Sequence, residues 1–108
     1  MEQFELAALT VTEGETTRPI AFARAKLTVV SEYGTRLWYM DVDGIADAAL
    51  LKRFAETDEI GVGVSAVTVG GKKLSGQGYF HPNPSNRSAA IRGNGELAGY
   101  GQKPGAFA

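Results

Sequence analysis

Cysteine is absent from this 108-residue chain. Disulfide scaffolds, thiolate zinc sites and cysteine nucleophiles are thereby excluded. Histidine is nearly absent too, with His81 the single copy, so any imidazole-dependent chemistry has to run through that residue. No apolar run approaches the roughly 18–20 residues that a membrane-spanning helix needs. The opening Met1-Glu2-Gln3-Phe4-Glu5 lacks the basic and then apolar pattern of a secretory leader, so the expectation is a cytoplasmic protein without membrane contact. A dominant charge sign is missing as well, because the formal net charge is −1.

What is present fits one domain, since chains of about 100–150 residues usually form a single core. Hydrophobic residues make up 44% of the chain, enough to fill such a core without staples. The near-zero charge conceals a division. Residues 1–59 hold 11 acidic and 6 basic side chains, net −5, whereas residues 60–108 hold 1 acidic and 5 basic, net +4.

Alternation of apolar and polar residues predicts strands over Glu5–Thr12, Ile20–Ser31 and Leu37–Val42, with turns at Glu13-Gly14 and Tyr33-Gly34. From Ile45 to about Glu56 the period lengthens, and Ala48, Leu51, Phe54 and Ala55 mark one face of an amphipathic helix. Asp43 or Asp47 is placed to cap it. Period two then returns from Ile60, turns at Gly70-Gly71 and runs back over Lys72–Phe80. A polar loop, His81–Arg87, leads to a last strand from Ala89 to about Leu97. The expected fold is mainly β with one α-helix, in the order β-β-β-α-β-β-β. It reads as a small β-sandwich or a partly open β-barrel over residues 1–98, followed by a flexible Gly- and Pro-containing tail over residues 99–108.

Motif tests for chemistry return little. Asp41-Val42-Asp43-Gly44 superficially resembles a calcium loop, but its glycine falls at position four and Lys52 stands where the bidentate Glu belongs. Gly93-Asn94-Gly95-Glu96-Leu97-Ala98 spells a dinucleotide fingerprint, yet Gly99, Gly101 and Pro104 follow it and leave no room for the required helix. Gly70-Gly71-Lys72-Lys73 lacks the spacing of a phosphate-binding loop. No cofactor and no metal site is expected. An enzyme or ligand carrier built on His81, Asp41 and Asp43 is the last-ranked reading.

Two late clusters stand out. Gly76, Gly78, Gly93 and Gly95 occupy strand positions, where glycine weakens a sheet unless a bulge, a bend or a closely approaching backbone requires it. With Tyr79 they form a candidate assembly contact. Lys72, Lys73, Arg87 and Arg92, interleaved with Tyr79 and Phe80, form an alternative surface for single-stranded nucleic acid, with cations on phosphates and rings under bases. A pI near 5.8 makes that footprint thin.

The second half also resembles a known family. A helix over Asp47–Phe54 is followed by the strand Ile60-Gly61-Val62-Gly63-Val64. A hairpin then ends in Gly76-Gln77-Gly78-Tyr79-Phe80, and a closing strand in Gly93-Asn94-Gly95-Glu96-Leu97. This order, over residues 45–99, resembles the tail-tube proteins of long-tailed bacteriophages and related contractile machines. The resemblance implies a non-enzymatic structural protein of phage or prophage type, located in the bacterial host cytoplasm or in the virion. Its partners would be copies of itself or other phage structural proteins, met through β-hairpins, and the −5/+4 division would supply complementary charged surfaces if it maps to opposite faces. A nucleic-acid-binding barrel is the alternative.

Overall fold

In the computed structural model, which describes residues 1–101, the chain threads seven strands and one α-helix. They are β1 (Glu2–Glu13), β2 (Thr16–Pro19), β3 (Arg24–Glu32), β4 (Thr35–Asp43), α1 (Ala48–Glu56), β5 (Gly61–Thr68), β6 (Lys73–Asn83) and β7 (Ser88–Ala98). All pairings are antiparallel and belong to one sheet. The sheet runs β1-β3-β4-β7-β6-β5 and returns to β1, closing a six-stranded barrel with β2 as an extra strand beside the distal end of β1. The sandwich alternative therefore gives way to a closed barrel, and closure removes most of the unpaired edge a sheet of this size would expose.

Two local differences from the sequence reading have plain causes. Thr16–Pro19 is a strand in its own right, which puts four strands before the helix. Four residues are too few to show a period. His81 lies on β6, which continues to Asn83, instead of in a loop. The chain turns only at the 3₁₀ segment Pro84–Asn86, where Arg87 takes a left-handed conformation with φ 51°.

Inward residues alternate along each strand: Leu27 and Val29 on β3, Met40 and Val42 on β4, Val62 and Val64 on β5, all buried. The helix closes one end of the barrel. Asp47 caps it, its carboxylate accepting from the Leu50 N–H at 3.0 Å. Leu50, Leu51 and Phe54 face inward, whereas Ala48 and Ala55 are exposed. Phe54 stacks on Phe80 of β6 with ring centroids 4.5 Å apart.

The opposite end is tied by the last described residues. Tyr100 packs edge-on against Phe4 at 6.2 Å, and its hydroxyl donates to the Glu2 carboxylate. Arg36 lies 4.4 Å over its ring, and the Lys72 ammonium donates to its carbonyl at 2.5 Å. Of the tail expected from Gly99 onward, residues 102–108 lie outside the described residues.

Candidate functional site

The glycine cluster resolves first. Gly76, Gly78 and Gly93 point into the barrel from the adjacent strands β6 and β7, where Gly78 and Gly93 stand directly opposite each other. A Cβ at Gly76 would lie 2.9 Å from the Trp38 ring and from the Glu96 carbonyl, and one at Gly93 would overlap the indole. At Gly78 the obstacle is the Arg92 carbonyl, 2.7 Å away. Their space is taken by this chain's own Trp38, which is 3% exposed, and by its own β7 backbone. Gly95 differs: it has φ +89° and open space around it, and its carbonyl accepts from Trp38 Nε1 at 3.1 Å. Three of the candidate assembly glycines thus serve internal packing, while Tyr79 faces outward at 41% exposure.

The basic and aromatic cluster separates. Phe80 is completely buried against Phe54, so it presents no face to a base. That overturns it as a nucleic-acid contact. Lys72 and Lys73 belong to the β5–β6 turn and the start of β6, whereas Arg87 follows the 3₁₀ segment at the other end of that strand. At about 3.3 Å per residue, the span from Lys73 to Asn83 is roughly 33 Å. Lys72 is engaged with Tyr100, and Arg87 is placed to donate to the Ala46 carbonyl at 3.5 Å. Arg92 alone remains in the middle of the outer face.

Around Arg92 the register assembles what the linear sequence does not display. Arg92 stands opposite Tyr39 on β4 and opposite Tyr79 on β6, forming one cross-strand row. In the next row Ala90 separates Asp41 from His81. A groove of about 750 Å³ runs over this surface, lined by Val30, Leu37, Tyr39, His81, Ala90 and Arg92 among others. Leu37 is 57% exposed and Tyr39 39% exposed. Asn94 donates to the Tyr79 hydroxyl at 3.2 Å and steadies that ring.

The groove exists because the β4–β7 ladder stops early. Pairing ends at Tyr39–Arg92, although β4 begins at Thr35 and β7 continues to Ala98. The β6–β7 register shifts between Ser75 and Gln77, where β7 bulges through Gly95 and Glu96. β7 thereby curls over Trp38, and the indole N–H takes the place of a ladder bond to Gly95. Leu37 and Tyr39 were missed as site residues, but β4 signalled them. With Trp38, Met40 and Val42 inward, alternation forces Leu37 and Tyr39 out into solvent.

For catalysis the arrangement offers little. His81 and Asp41 are two strands apart, about 10 Å at the usual strand spacing, and no hydrogen bond joins them among the described residues. Asp41 and Asp43 stand instead opposite Lys26 and Arg24 on β3. Among the described residues no group of three His, Asp or Glu side chains is placed to hold a metal. A second, shallower trough of about 600 Å³ crosses β5, β6 and β7, lined by Gly61, Gly63, Ser65, Ser75, Gln77 and Glu96 among others, with no cation.

The charge division also acquires a place. In barrel order β1, β3 and β4 are contiguous, as are β7, β6 and β5, so the strands of the two sequence halves form two halves of the barrel wall joined at the β4–β7 and β1–β5 seams, while Asp47, Glu56, Asp58 and Glu59 of the acidic half lie on the helix and its flanking turns. Lys103, one of the five later cations, lies outside the described residues. Comparison with protein-family models, curated proteins and solved structures finds no match to this chain.

Proposed function

We propose that the chain is a non-enzymatic assembly subunit of phage or prophage type, acting by self-association in the bacterial host or the virion. The observation that carries this reading is that the strands of the acidic and of the basic sequence half occupy separate, contiguous parts of one closed barrel. Two unlike surfaces on one subunit suit contacts between copies and oppose wrong registers through like-charge repulsion. The exposed Leu37, Tyr39 and Tyr79 around Arg92 add support, because tyrosine and arginine dominate the energetic centres of protein contacts. The order of helix, strand, Gly-x-aromatic hairpin and Gly-x-Gly-x-Leu strand, similar to that of tail-tube subunits, supports the phage type.

Light scattering coupled to size exclusion tests the reading, run across concentration at low and high salt. Species heavier than the 11.4 kDa chain are expected at low salt, shifting toward monomer as ionic strength screens the charges. A strict monomer at millimolar concentration and low salt would overturn it.

A further inference from the structure

We propose that the outer face around the β4–β7 groove is a two-fold contact between copies of this chain, in which Arg92 of each copy meets the Glu56–Glu59 turn of the other. The inference rests on the assembly reading above and names its contact.

The groove half of the contact has the composition of a docking centre. Arg92 lies between Tyr39 and Tyr79, Leu37 is the most exposed of the apolar residues there, and no carboxylate lines the groove. The ladder that would cover this part of β4 ends at Tyr39. Its charged lining residue is Arg92. The neighbouring Asp41 stands opposite Lys26. An anionic partner is therefore the complementary one.

This chain carries that partner two strands along the row of Arg92, where Tyr79 of β6 stands opposite Arg92 on one side and Gly61 of β5 on the other. Glu56, Asp58 and Glu59 are all exposed, and the one ion pair among the described residues is Arg53–Glu13, which uses none of them. The turn has a set shape, because the Glu59 N–H donates to Thr57 Oγ1 at 3.1 Å. It enters β5, which β6 alone separates from the β7 wall of the groove: the Ile60 carbonyl accepts from the Phe80 N–H at 2.8 Å, next to His81. A surface holding a cationic groove and an acidic turn side by side is self-complementary about a two-fold axis. Rotating one copy by 180° sets each turn against the other's Arg92. Single-stranded nucleic acid fits the same face less well, since Lys72 and Lys73 lie at one end of the barrel, Arg87 lies at the other, and Phe80 is buried.

Reciprocal charge reversal supplies the test. Arg92→Glu is made in one sample and the pair Asp58→Arg and Glu59→Arg in another, all at exposed positions, with circular dichroism confirming that each folds. Wild type is expected to run as a dimer, each variant alone at least about tenfold weaker, and the 1:1 mixture restored to dimer. Restoration is the decisive outcome, because within a mixed pair both contacts again join opposite charges. A monomeric wild type overturns this proposal and the assembly reading together. A wild type that associates while Arg92→Glu leaves it unchanged overturns the groove contact alone, as does loss of association on Lys73→Glu with Arg92→Glu silent. A mixture that stays monomeric overturns it too. A labelled oligo-dT strand that binds monomeric wild type and is lost in Arg92→Glu would assign the face to nucleic acid instead.

Discussion

Trp38 illustrates how single residues set this barrel. Its indole is the bulkiest side chain in the chain, and it is accommodated because the facing positions on β6 and β7 are glycines. Adding one methyl at Gly93 forces overlap with that ring, so Gly93→Ala is expected to lose about 1–3 kcal/mol of stability by urea denaturation. An unchanged urea midpoint would refute the packing argument. Trp38→Phe keeps most of the apolar bulk but removes the indole's hydrogen bond to the exposed Gly95 carbonyl, a loss of about 0.5–1.5 kcal/mol. Tyr100 makes a pH-dependent contribution. Its hydroxyl donates to the Glu2 carboxylate, and that hydrogen bond, followed by burial and the Glu2 charge, raises the phenol's pKa above its ordinary 10.0. The unfolded chain thus loses the proton first. The stabilisation is complete below the ordinary phenol pKa and disappears as pH rises through the raised one. Urea midpoints of wild type and Tyr100→Phe should therefore converge above about pH 10; a gap that stays constant across that range would contradict the assignment.

Among the elements, α1 was legible because its spacing changes from two to three and four, and because an Asp precedes it. The sequence placed Asp43 and Asp47 equally; the backbone chose Asp47, whose carboxylate alone reaches the Leu50 N–H. Asp47→Ala is expected to cost about 1 kcal/mol in thermal or chemical denaturation. Phe54→Ala, which opens a cavity beside Phe80, should cost about 3–5 kcal/mol. A Phe54→Ala loss no larger than the Asp47→Ala loss would mean that the helix does not plug the barrel. Strand β2 escaped the sequence reading because its four residues carry no period and are held on one side only, by β1. Hydrogen exchange should release β2 amides before those of Leu9–Val11, which β5 secures on the other side of β1.

For the whole molecule, closure decides the outcome. The β1–β5 pairing from Leu6–Thr68 to Thr12–Gly63 joins the acidic and basic halves of the sequence into one wall. No local pattern announces that bond, since it joins residues more than fifty positions apart. On the proposed assembly reading, self-association is expected to be salt-sensitive, and raising ionic strength should weaken it several-fold.

By itself the sequence determined a cysteine-free chain, the strands with clear alternation, the capped helix and the −5/+4 division. Each of these follows from local spacing or simple counting. Only the tertiary structure decided that the sheet closes, that the late glycines house Trp38, that Phe80 is core, and that Arg92 sits between Tyr39 and Tyr79. Those outcomes depend on register between distant strands, and register is fixed by how side chains fill the barrel as a whole.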